Sequence, residues 1–210
     1  MTSFRVVLIT LLIAVTPALA QDEPDTGHPE PGIISPSWVL DLQWDIPRTI
    51  AVKEPSGTVR WYWFMTYSVT NNTGDERLLV PEFDIADDTG RIIAANQGIA
   101  PTVYNEIERV IANPLLQSPT EAVGRLLQGK DHARDSVAIW RAPYEDIDEM
   151  TVFIGGLSGE TATIAHPDPD REGETIQLRR TRMLRFSAPG FYDNPQFQPI
   201  ELVEERDVMR

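Results

Sequence analysis

Cysteine is absent from all 210 residues. Thiol nucleophiles, thiolate metal sites and disulfide staples are therefore excluded, and a folded domain must be held by its core alone. Lysine is almost absent too: Lys53 and Lys130 stand among basic residues that are otherwise arginine. Histidine appears only as His28, His132 and His166, and no two of these have metal-ligand spacing. Positive charge is scarce, with 18 Lys and Arg against 32 Asp and Glu, for a net charge of −14. Such a field opposes nucleic acid and anionic lipid. Long apolar runs are missing as well. The one sizeable run, residues 6–15, is ten long, whereas a membrane-spanning helix needs about 20.

That run has another meaning. Arg5 precedes it, and Pro17-Ala18-Leu19-Ala20 follows with the small-x-small ending of a signal-peptidase site. Residues 1–20 read as a signal peptide, with a mature chain that starts at Gln21, has no transmembrane segment and offers no cysteine for a lipid anchor. Loss of Arg5 leaves 17 basic and 32 acidic residues, net −15. The expected location is periplasmic or extracellular, and a disulfide-free secreted domain suits a bacterial setting best. Residues 21–36, with Pro24, Pro29, Pro31 and Pro36, have little to bury and read as a flexible leader.

What is present is strand pattern. Residues 59–70 hold five aromatics and no Gly or Pro, a composition suited to a pleated surface. Val59, Trp61, Trp63, Met65, Tyr67 and Val69 fall on one face. Arg60, Tyr62, Phe64, Thr66, Ser68 and Thr70 fall on the other, which turns polar towards its end. The expectation is a long central strand with both faces covered at its middle. Trp38, Leu40, Leu42, Trp44 and Ile46 recur at spacing two and predict a half-buried strand that Pro47 ends. Residues 76–86 alternate, are interrupted by Pro81, and resume in the other phase, the mark of an edge or a bulge. Further strands are expected at 91–95, 137–140, 150–156, 160–164 and 175–187.

One passage is helical: Val103, Ile107, Val110 and Ile111 recur at helical spacing over 102–113 before Pro114. Residues 115–128 offer a second helical turn through Leu126, weakened by Gly124. The fold class is mainly β: an immunoglobulin-like antiparallel β-sandwich over residues 37–190 with a short helical insertion, and a partly ordered acidic tail at 191–210.

Tyr67-Ser68-Val69-Thr70-Asn71, the segment from Gly129 to Asp135-Ser136-Val137-Ala138-Ile139-Trp140, and residues 148–156 carry a resemblance. Over about residues 61–156 the chain resembles secreted bacterial immunoglobulin-like (telokin-like) domains. The resemblance implies extracytoplasmic placement and interaction rather than chemistry, and brings no catalytic residue. The insertion at 102–128 and the arginine-rich late strand depart from a minimal domain of that kind.

Several constellations invite chemical readings. Asp168, Asp170 and Glu172, followed by Gly173, mimic the opening of a calcium loop, but the twelfth position is Arg179 rather than a bidentate Glu. The simpler reading is a solvated acidic hairpin loop. Asp84, Asp87 and Asp88 near Gly90 invite a cation in the same way. Asp88-Thr89-Gly90 spells the aspartic-protease triplet, yet its setting between two strands makes it a tight turn. Gly156-Leu157-Ser158-Gly159 falls one residue short of a nucleophile elbow and lacks the following helix. Asn71-Asn72-Thr73 matches a glycosylation acceptor and also suits a hairpin turn. Arg179, Arg180, Arg182 and Arg185 form a basic strand: Arg180 and Arg182 share a face with Leu178, Leu184 and Phe186, while Arg179 and Arg185 lie opposite. They are the candidate partner-binding patch, against a reading in which an edge strand carries charge against aggregation.

The resulting expectation is a secreted or periplasmic non-catalytic binding or structural module, without cofactor, whose partner is a protein or a cell-envelope glycan and not nucleic acid. Two alternatives stand beside it: a hydrolase with scattered residues, and a calcium-stabilised extracellular module.

Overall fold

The computed structural model describes residues 38–54, 56–142, 147–188 and 200–210, so the expected signal peptide and leader, with His28, lie outside them. The protein is mainly β, and its named strands pair antiparallel throughout. The chain is organised around β3 (Val59–Thr70). Trp63, Met65, Tyr67 and Val69 are buried on one face, and Tyr62 and Phe64 on the other. Burying each such side chain contributes roughly 2–3 kcal/mol.

Both edges of β3 are occupied. β1 (Asp41–Trp44) and β2 (Arg48–Lys53) follow one another along one edge, and β8 (Arg134–Arg141) runs along the other. Trp44 faces Tyr67 and Arg48 faces Phe64. Asp45, Ile46 and Pro47 therefore occupy a stretch that β3 covers with only Met65 and Thr66, the two-against-one crowding of a bulge. That bulge turns Ile46 outward, 47% exposed, instead of inward as its spacing suggested. Upstream, the Leu40 amide donates to the Leu157 carbonyl at 2.8 Å, and Val39 bridges Ser158. Residues 39–40 thus contact residues 157–158 before the chain joins β3 as β1.

The second sheet runs β6–β5–β9–β11–β12. Its strands are β5 (Glu82–Asp87), β6 (Ile92–Ala94), β9 (Glu149–Gly155), β11 (Thr175–Ser187) and β12 (Glu201–Met209). β10 (Thr161–Ala165) pairs with the first half of β11 in a hairpin arm. A small third sheet joins β4 (Arg77–Leu79) to β7 (Gly124–Leu126). The break at Val80-Pro81 divides β4 from β5 and sends them to different sheets, since Pro81 has no N–H to carry a ladder across it. The helical turn expected through Leu126 is instead β7, because Leu79 and Leu126, both fully buried, supply a strand partner and a core site.

The two large sheets share one core. Phe83 of β5 lies 4.6 Å from Tyr67 of β3 and 6.4 Å from Trp140 of β8, ring centre to ring centre, and Trp44 meets Phe186 edge-on at 5.8 Å. On the outer face of β3, α1 (Pro101–Ile111) seats Val103 and Ile107 against Tyr62, Phe64, Val137 and Ile139. Proline at the first turn suits the helix start, and Ala112 ends it at φ 53° just before Pro114. Only part of the predicted apolar stripe is covered: Val110 is 49% exposed.

The tail was the least expected element. Residues 201–209, placed by sequence in a partly ordered acidic tail beyond the domain, form β12 and pair with β11 from Arg180 to Ser187. Val208 is fully buried beside Phe153 and Met183. Among the described residues, no helix is long and apolar enough to cross a membrane.

Candidate functional site

The outer face of the β3 sheet changes character along its length. Where α1 covers it, the rows are mainly apolar; towards and beyond the helix C-terminus polar side chains enter them and burial falls. Three cross-strand rows record the change. Arg48, Phe64 and Ile139 form one row, Asp45, Thr66 and Val137 the next, and Gln43, Ser68 and Asp135 the third. Of these, Arg48, Asp45, Thr66, Gln43, Ser68 and Asp135, together with Val110, Ile111 and Asn113 at the end of α1, line a groove of about 640 Å³.

Its groups are held by defined contacts. Thr66 Oγ1 donates to Asp45, and Asn113 Nδ2 donates to Asp135 at 3.0 Å. The Asn113 Oδ1 in turn accepts from the Leu115 amide at 3.0 Å, which orients the carboxamide. The Arg48 guanidinium lies 5.0 Å from the Phe64 ring centre, a cation–π placement. Its N–H donors have no hydrogen-bond or ion-pair partner among the described residues. The Phe64 row is rigid beneath it, because Phe64 is packed by α1.

The four-arginine strand is arranged differently from an open basic patch. β11 is flanked by β9 and β12 over residues 182–187, so it is no edge there. Asp207 takes Arg182 Nε at 2.6 Å and Arg180 Nε at 3.0 Å; Arg180 also reaches Glu160 at 3.1 Å, and Arg182 pairs with Glu205. Arg185 pairs with Glu204 at 2.9 Å. Burial alone would raise the pKa of Asp207, but the hydrogen bonds from Arg180 and Arg182 outweigh it and hold the carboxyl below its ordinary range. Three of the four guanidiniums are thereby neutralised by acids. Arg179 alone has no ion pair among the described residues. Arg180 and Arg182 border a cleft of about 200 Å³ with Leu40, Leu157 and Ser158, and no histidine lines it.

The other sequence candidates fall into local structure. Asp168 accepts from the Asp170 amide at 2.9 Å and caps a short 3-10 turn, and Asp170 and Glu172 are exposed beside it. Among the described residues, no group of three or more His, Asp or Glu side chains converges as a metal site. His166 accepts from the Asp168 amide through Nδ1 at 3.1 Å, and Arg171 contacts its Nε2. His132 lies in another 3-10 turn. Ser158 Oγ accepts from the Glu160 amide and donates to the Trp38 carbonyl, with no histidine in contact. Asp87, not Asp88, organises the Asp-Thr-Gly turn. It accepts from Thr89 and Arg91, which hold its pKa below the usual range although burial opposes them. Asp88 accepts from the Asp148 amide. Asn71, first residue of the glycosylation triplet, is fully buried, and its Nδ2 donates to the carbonyls of Asp75 and Leu126.

Sequence reasoning missed the groove residues Gln43, Asp45, Arg48 and Asp135. One signal pointed towards them: the polar run Thr66, Ser68 and Thr70 on a face whose other half is aromatic. No protein-family model, curated protein or solved structure matches this chain.

Proposed function

We propose that the chain is a secreted, non-catalytic binding module built as an immunoglobulin-like β-sandwich, with the groove beside α1 as its ligand surface. The signal-peptide pattern at residues 1–20 supports the location. Two antiparallel sheets closing on one core support the architecture. The observation that carries the reading is the groove itself. It is about 640 Å³ in volume, within the range of ligand sites, and its floor is a sheet whose reverse side is the packed core. A floor fixed in this way keeps the polar rows in place before a ligand arrives, which lowers the ordering cost of binding.

The test is sedimentation of the purified protein with isolated bacterial envelope. Ser68→Trp places a bulky side chain in the groove at a strand position that tolerates aromatics. The wild type is expected to pellet with the envelope and the variant to stay in solution. Equal behaviour of the two would overturn the reading, as would catalytic turnover by the purified protein in a screen of esterase, protease and glycosidase substrates.

A further inference from the structure

We infer that the groove takes a neutral, hydroxyl-rich ligand, a saccharide, read by Arg48 and Asp135 across the width of the β3 sheet. This rests on the reading of the groove as the ligand surface. The argument comes from the arrangement of donors and acceptors. Arg48 offers N–H donors without a partner among the described residues. Asp135 has one oxygen engaged by Asn113 and Asp45 one engaged by Thr66, and a carboxylate accepts about four hydrogen bonds in all. Gln43 and Ser68, directly opposite each other, add an amide and a hydroxyl in the same row as Asp135.

A hydroxyl group both donates and accepts. A row of vicinal hydroxyls is therefore the complement of a surface that mixes guanidinium, carboxylate, amide and hydroxyl groups. Ligands of one charge sign fit less well. An anion meets Asp45 and Asp135, a cation meets Arg48, and like charges a few ångströms apart near a protein surface repel one another. The cation–π contact with Phe64 holds the guanidinium plane, so fewer rotamers are lost when it engages a ligand. Val110, 49% exposed at the rim, supplies an apolar contact for the C–H face of a ring. Trp44 and Tyr67, the aromatics in the groove lining, are packed against Phe186 and Phe83, so affinity is expected to be modest, with a Kd on the order of 1 mM.

The experiment is amide chemical-shift titration of the full chain with maltotriose, cellotriose and triacetylchitotriose, with trigalacturonate and spermidine as charged probes. At least one neutral trisaccharide is expected to shift the amides of Gln43, Ser68 and Asp135 in a saturable way. Arg48→Ala and Asp135→Asn should each weaken that binding about tenfold or more, while Lys53→Ala leaves it unchanged. Unfolding midpoints of the variants separate lost binding from lost structure. Groove amides that ignore all three neutral probes, or that follow only trigalacturonate or spermidine, would overturn the saccharide inference. The wider reading is judged separately by the Ser68→Trp sedimentation.

Discussion

Gly156 passes so close to Val80 that a Cβ built on it would lie 2.0 Å from the Val80 carbonyl oxygen. Real Cβ atoms do not approach backbone to that distance, and Gly156 also has φ 77°, where a side chain is strained. Gly156→Ala must therefore move the β4–β5 crossover or the end of β9. The expected loss is about 2–4 kcal/mol, read as a lower denaturation midpoint. Gly57→Ala is the comparison: φ is 88° with nothing within 4 Å, so the cost should be about 1–2 kcal/mol. Equal losses at the two sites would show that contact with Val80 is unimportant.

Asn71 ties the end of β3 to β7. Its Oδ1 accepts from the Thr73 amide and hydroxyl, and its Nδ2 donates to Asp75 and Leu126. Asn71→Ala leaves the Leu126 carbonyl, in a buried setting, without that donor. About 2–3 kcal/mol of stability should be lost in chemical denaturation. A change within 0.5 kcal/mol would mean that water replaces the side chain.

Asp207 makes stability pH-dependent. Its folded pKa lies below its unfolded value because Arg180 and Arg182 bind the charged form. The contribution is therefore complete above the unfolded value, near pH 4, and fades as pH falls through the lower folded value. Asp207→Asn should cost about 1–3 kcal/mol at pH 7, an amount discounted for the partial exposure of the cluster. The gap between wild type and variant should narrow on acidification from pH 5 to pH 2. A gap constant across that range would rule out the charge as its source.

Deleting residues 200–210 removes β12, and with it Asp207 and the buried Val208 and Met209. The truncated chain should lose cooperative thermal unfolding by circular dichroism or fail to stay soluble, because β11 is left with an open edge and uncompensated arginines. A melting point within a few degrees of the full chain would show that β12 is accessory. Val208→Ala gives a milder probe, expected to cost about 1–3 kcal/mol.

Much of the strand inventory was readable. β3 has the expected bounds, and its two faces divide as the alternation of Trp63, Met65 and Tyr67 against Tyr62 and Phe64 indicated. The Pro81 interruption and the helix before Pro114 were also visible, because prolines and hydrophobic periods act over a few residues. The groove was not readable. Asp45, Arg48 and Asp135 are unremarkable in their own segments, and their juxtaposition depends on the register of β1, β2 and β8 against β3. The prolines and acids of residues 191–210 suggested a partly ordered tail, and nothing local revealed that arginines of β11 would receive its acids.

By itself, then, the sequence determined the mainly β character, the exclusion of cysteine chemistry, the identity of the central strand and which of its faces turns polar. These follow from local composition and a period of two, properties that need no partner. Only the tertiary structure decided that acids on β12 neutralise three guanidiniums of β11, that Asp87 rather than Asp88 organises its turn, that Asn71 is buried, and that the polar half of β3 borders a groove. The last of these depends on where α1 ends. At Ala112 the helix stops covering the sheet, and Thr66, Ser68 and Asp135 are left facing a groove instead of a core.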